Sequence, residues 1–211
     1  MKLQPGSYRL RHFKSTLLAG VLVSCLAACS HAQTQAFVPV IVPHRIPLDS
    51  ISVKALNYTP WYIHEFEIEG PEGLGIHGGG PNIWPAEEDG QPSGGGAETC
   101  CLTYPSTWRP DLKLTVRWLV YKDVKKLGAK APGYWYKADN VRIAQYGETN
   151  YSAWMIFLPG DRVRLMITDG NEGGGNNPNN RPADDDPLIV KGVLDDEWNE
   201  RFPNGVARGI K

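Results

Sequence analysis

From Lys113 to Val120 large apolar side chains alternate with polar ones: Leu114, Val116, Trp118 and Val120 take one face, and Lys113, Thr115 and Arg117 the other. A helix repeats its faces every 3.6 residues and cannot satisfy this period of two, so the segment is predicted to be a half-buried strand. The same alternation recurs at Ile51, Val53 and Ala55, at Phe66 and Ile68 between Glu65, Glu67 and Glu69, and at Val163, Leu165 and Ile167 between arginines. Thr99–Tyr104, Trp135–Lys137, Asn140–Ala144 and Ala153–Leu158 are predicted as further strands, with Pro159-Gly160-Asp161 as a turn. Only Val193–Arg201 reads as helical, with an acidic first turn, a terminal arginine and Pro203-Asn204-Gly205 as its stop. Strands without intervening helices exclude a parallel α/β sheet. The expected fold is mainly β, an antiparallel β-sandwich or partly open barrel with long Gly-rich loops and a short C-terminal helix.

Two stretches interrupt that plan. Gly70–Gly96 holds GLGIHGGGPNIWPAEEDGQPSGGG, and Gly170–Asp186 holds GNEGGGNNPNNRPADDD. Their glycines and prolines predict loops rather than central strands.

The N-terminus has a different character. Lys2, Arg9, Arg11 and Lys14 precede an apolar run from Leu17 to Ala28, with no acidic residue among them. That is the order of a secretory signal, and the run is too short to span a bilayer. Leu26-Ala27-Ala28-Cys29 resembles the lipobox of bacterial lipoproteins. The resemblance implies loss of residues 1–28 and lipid attachment at Cys29. Two or three acyl chains make such an anchor effectively permanent. Ser30 stands where inner-membrane retention would call for Asp, so the expected location is the periplasmic face of the outer membrane. Residues 29–49, broken by Pro39, Pro43 and Pro47, are expected to form a tether, and residues 50–211 a single β-rich domain. Without residues 1–28 the chain carries 18 Lys and Arg against 23 Asp and Glu, a charge of −5. That balance argues against a nucleic-acid partner.

Of four cysteines, Cys25 leaves with the signal and Cys29 is acylated, so Cys100-Cys101 remains. Adjacent Cα atoms lie about 3.8 Å apart across a trans peptide, closer than most disulfides allow. A vicinal disulfide and a pair of free thiols both stay open. Stability is expected to come from packing rather than from a disulfide framework.

Several motif fragments lack the context that their chemistry needs. Gly73, Gly75 and Gly78 fit G-x-G-x-x-G, but Gly79, Gly80, Pro81 and Pro85 forbid the helix that would hold a pyrophosphate, leaving a hairpin loop. His64-Glu65 begins a zincin-like motif, yet the fourth residue on is Ile68. His64 shares strand parity with Phe66 and Ile68, which predicts a core or rim position. Asp169, Asn171 and Asp184–Asp186 supply oxygen ligands without the EF-hand spacing, so a solvated acidic loop is expected, with an adventitious Ca²⁺ site as the lesser alternative. No serine sits in G-x-S-x-G, and no base is placed beside Cys100 or Cys101. No enzyme activity, cofactor or metal is expected.

Trp118 belongs to a buried face. Trp61, Trp84 and Trp108 fall at strand ends or in loops, and with Arg109 they are candidates for a partner-binding surface, as are Asp184, Asp185 and Asp186. Capping the ends of the sandwich is the competing role for the three tryptophans.

Asn57-Tyr58-Thr59, Gly94-Gly95-Gly96 ahead of Cys100-Cys101, Pro105 with Trp108-Arg109-Pro110, and Val116-Arg117-Trp118 resemble a proteobacterial lipoprotein family built on the domain of unknown function numbered 3304. Members are often encoded near type VI secretion lipase effectors. The resemblance therefore implies an immunity protein that binds and neutralises a phospholipase effector in the periplasm. It carries no catalytic residues. An envelope structural or assembly lipoprotein and a glycan- or peptidoglycan-binding module are the alternatives.

Overall fold

The computed structural model describes residues 46–80, 82–170 and 176–203. Cys29, the signal and nearly all of the expected tether lie outside them. Eleven strands form two facing sheets. The first sheet contains β1 (Leu48–Asn57), β4 (Ser93–Gly94), β5 (Thr99–Pro105), β8 (Ser152–Leu158), β9 (Arg162–Thr168) and β10 (Val190–Lys191). The second runs β11 (Val193–Leu194), β7 (Gly133–Val141), β6 (Leu114–Tyr121), β2 (Tyr62–Glu69) and β3 (His77–Gly80). Two short α-helices, α1 (Val124–Leu127) and α2 (Asp196–Arg201), and a single 3-10 turn at Gly128–Lys130 complete the elements among the described residues. The sheets do not close into a barrel, and the fold is the expected sandwich with a short C-terminal helix. Pairing is antiparallel except between β1 and β8, which run parallel.

The alternating apolar residues meet between the sheets. Ile51, Val53 and Ala55 of the first sheet face Phe66, Ile68, Val116 and Trp118 of the second, joined by Met155, Phe157, Val163 and Leu165. A fully buried side chain of this size contributes about 1.5–3 kcal/mol. Ile46 and Leu48 already pack on this core, so the expected tether gives way to the domain before residue 49.

The outer faces are covered too. The segment after Asn176 folds back over the first sheet, where Leu188 and Ile189 pack against Ile156, Leu158 and Met166. Helix α2 lays Trp198 on Leu119 and Trp135 of the second sheet. Its start follows the capping rule, with the Asp195 side chain accepting the Trp198 N–H. Arg117 fastens it further by pairing with Asp195 and Glu69 and stacking on the Trp198 ring.

Some boundaries differ from the sequence reading. Val193 and Leu194 are a strand rather than the first helical turn. Gly192 carries the chain from one sheet to the other between β10 and β11, and a Cβ there would collide with the Trp118 ring. Asn140–Ala144 is no separate strand: β7 runs through Val141, and Ile143 makes only a bridge to Leu165. The first Gly-rich stretch is more ordered than a plain loop. His77–Gly80 forms the edge strand β3, whose Gly78 lets it lie close against Leu102 of β5.

Candidate functional site

One part of the second sheet's outer face is left open beside α2. In β6 the alternation that buries Val120 turns Tyr121 outward. In β2 the register shifts between Ile63 and Glu65, inserting His64 as a bulge. Ile63 and Phe66 both face the core, so His64 falls on the opposite side, in ring contact with Tyr62 and Tyr121 at centroid distances of 5.9 and 5.7 Å. The expected face shared with Phe66 and Ile68 is thus corrected, and the half-buried His64 lies outside the core. Simple parity fails because one extra residue in the strand reverses it.

Trp84 completes the patch, its ring 5.2 Å from that of Tyr62. It is 64% exposed, yet its backbone is fixed on several sides. Ile83 exchanges two backbone hydrogen bonds with Ile63 (3.1 and 2.8 Å) and is buried. The Ala86 N–H donates to Thr59 O at 2.9 Å, and Ser93 Oγ donates to Pro85 O at 2.6 Å. The centre of this scaffold is Asn57, which is 0% exposed. Its Nδ2 donates to Trp61 O at 2.7 Å and to Trp84 O at 2.8 Å, while its Oδ1 accepts from Thr59 N and Oγ1. The carbonyls only accept and the Thr59 N–H only donates, so the orientation of the amide is chemically forced.

Tyr62, His64, Trp84 and Tyr121, with Val124 and Gly128, line an open cleft of about 330 Å³. A second hollow shares Trp84 and Val124 and is bounded by Glu87, Glu88 and Asp89. Burial pushes the Tyr62 phenol above its ordinary pKa. Tyr121 is raised by burial and then by Tyr62 and Glu65. Both are neutral hydroxyl donors at physiological pH. Exposed aromatic area held by a rigid backbone binds at low conformational cost.

The other sequence candidates lie elsewhere. Trp61 packs on the core, and Lys122 Nζ stands 5.9 Å from its ring. Trp108 also packs on the core, its indole N–H donating to Ile143 O at 3.1 Å. Both serve packing and are half-buried. Arg109 is exposed and pairs with Asp111 at 3.3 Å. Asp184 pairs with Arg162 at 2.7 Å, and Asp185 is exposed. Asp186 is different: only 19% exposed, it pairs at 2.7 Å with Arg164, itself 6% exposed, and accepts the Leu188 N–H. The acidic run is therefore partly a clamp that holds its segment on the first sheet. Cys100 and Cys101 form a vicinal disulfide where β5 sets two residues against Ser52 of β1. Among the described residues no group of three or more His, Cys, Asp or Glu is arranged to hold a metal.

Two facing sheets with their outer faces partly covered, and an aromatic patch exposed beside α2, define a mainly β protein of the sandwich class. The chain belongs to the family described as proteins of unknown function, DUF3304, which matches residues 56–165. That span begins beside Asn57 and takes in the whole aromatic patch. No curated protein and no solved structure matches the chain.

Sequence reasoning missed Tyr62, His64 and Tyr121 as site residues. The available signal was Tyr62-Ile63-His64-Glu65, where a bulge is needed to keep both Ile63 and Phe66 inside.

Proposed function

We propose that the chain is a lipid-anchored periplasmic binding protein whose partner docks on the Trp84–Tyr62–His64–Tyr121 patch. We further propose that it acts as an immunity protein neutralising a type VI secretion phospholipase effector. The observation that carries the docking reading is Trp84, a large aromatic side chain exposed on a backbone pinned by the buried Asn57. Trp and Tyr in such settings dominate binding energies in protein interfaces. The lipobox-like Leu26–Cys29 and the negative charge of the chain support the envelope location and a neutral or basic partner. An anchor would also hold the inhibitor at high effective concentration on the surface under attack.

The test is co-expression of the full chain with a candidate effector phospholipase from the same cell, scored by co-purification and by lipid hydrolysis. Near-stoichiometric capture and loss of hydrolysis, both abolished by Trp84→Ala, are expected. Capture of constitutive envelope proteins alone would instead support the structural-lipoprotein reading. Retention on peptidoglycan that depends on Trp84 would support a glycan-binding module.

A further inference from the structure

The rings of the cleft are not stacked flat. Tyr62 is tilted by about 51–52° against His64, Trp84 and Tyr121, and His64 stands at 77° to Tyr121. Aromatic groups at these angles present faces as well as edges to the space they enclose, and an aromatic face attracts cations. Elsewhere the protein already uses this attraction. Lys54 lies over Trp154, Arg117 over Trp198, Lys122 over Tyr136 and Arg181 over Tyr58. Tyr62 and Trp84 engage no cation among the described residues. Lys122, next to Tyr121 in sequence, is committed to Asp161 (2.8 Å) and to the Tyr136 hydroxyl (2.7 Å).

The surroundings add negative charge. Glu65 lies close enough to Tyr121 to raise its phenol pKa. Glu87, Glu88 and Asp89 border the adjoining hollow of about 710 Å³, and none of them is paired with a cation among the described side chains. A group entering the cleft over Trp84 and Tyr62 would meet their π faces, with the carboxylates of the adjoining hollow beyond Trp84.

We propose that the cleft receives an arginine side chain of the partner, its guanidinium plane against the faces of Trp84 and Tyr62 and its charge turned toward the Glu87–Asp89 loop. This rests on the docking reading above and names the chemistry of that partner. Arginine suits the site better than lysine because its guanidinium is planar, weakly hydrated and able to stack, whereas an ammonium keeps its water.

The test uses the full chain in detergent micelles, titrated with the peptide acetyl-Gly-Arg-Gly-Arg-Gly-amide and with its citrulline counterpart, a neutral isostere. Binding is read by calorimetry and by the Trp84 indole N–H resonance, assigned with Trp84→Phe. The arginine peptide is expected to shift that resonance and to bind about tenfold more tightly than the citrulline peptide. Trp84→Leu should erase the preference, and Trp84→Phe, which keeps an aromatic face, should retain part of it. Trp84 is exposed, so an unchanged melting temperature is expected to show that the variants fold. Equal affinity for the two peptides, or a preference that survives Trp84→Leu, would overturn the proposal. Phospholipase capture by the same variants separates the two readings. Capture intact in Trp84→Leu defeats the docking surface, whereas capture lost alongside equal peptide affinities defeats only the arginine.

Discussion

Replacing Asn57 by Ala removes a fully buried amide whose two donors and two acceptor positions are all in use, at 2.7–2.9 Å. The Thr59 hydroxyl can turn to Trp61 O, which it already approaches at 3.3 Å, so three bonds are lost outright. At about 0.5–1.5 kcal/mol net for each, the expected loss is about 2–4 kcal/mol. For a domain of this size that lowers the melting temperature by about 6–12 °C. The change also frees the Trp84 carbonyl, so capture of a partner should weaken in parallel. Asn57→Asp has nearly the same shape but turns a carboxylate toward two carbonyl oxygens. Its folded-state pKa is raised above the unfolded value, so the folded chain binds the extra proton more tightly. The penalty relative to the parent protein should therefore shrink as pH falls from 7 toward 5. Urea denaturation of the parent protein and both variants across that range measures the effect. A melting temperature for Asn57→Ala within about 2 °C of the parent, or a pH-independent penalty for Asn57→Asp, would refute the claim that this amide organises the loop.

Asp186→Ala removes a carboxylate that pairs at 2.7 Å with a buried arginine and should cost about 2–4 kcal/mol, while Asp185→Ala, one residue away and exposed, should fall within about 0.5 kcal/mol of the parent in the same urea titration. Charge reversal across Asp184–Asp186 is expected to disturb the fold, because it also breaks the pair between Asp186 and the buried Arg164. Gly192→Ala forces a methyl group into the Trp118 ring and should cost about 1–3 kcal/mol by the same measurement; a neutral result would show that the crossing between sheets yields easily. At alkaline pH the protein should lose stability. Burial raises the pKa of Tyr58, Tyr62, Tyr104, Tyr121 and Tyr146, and for Lys122 a downward pull from burial is outweighed by the hydrogen bonds it donates to Asp161 and Tyr136. The folded chain therefore keeps protons that the unfolded chain releases above about pH 10. The urea midpoint should fall between pH 10 and 11, and a midpoint that holds or rises would contradict the burial of these groups.

Much of the fold was legible because its signals are local. The alternation at Leu114–Val120 and Val163–Ile167 marked β6 and β9, and their apolar faces did become the core. The acidic start and Arg201 end marked the helix, although Val193 and Leu194 pair with β7 before it begins. Local rules failed where a distant partner decided the outcome. His77–Gly80 has no side chains that favour a strand, and it became one because β2 supplied its hydrogen bonds. His64 was misplaced because a bulge, set by the pairing of β2 with β6, shifted the parity that the sequence displays.

The candidate site divides in the same way. Exposed tryptophans at strand ends were recognisable from sequence as a class, but their individual fates were not. Trp108 is drawn inward by Ile143, and Trp61 by the core, while Trp84 is held out by an amide 27 residues before it. The sequence by itself determined that this chain folds as a mainly β protein, a sandwich or a partly open barrel, because strand period and turn chemistry are written in neighbouring residues, and the pairing of the strands decided for the sandwich. Only the tertiary structure decided which aromatic residues stay at the surface together. Exposure is what remains after distant segments have packed on the two sheets: the segment following Asn176 covers part of the first and α2 part of the second, and the cleft beside Trp84 stays open.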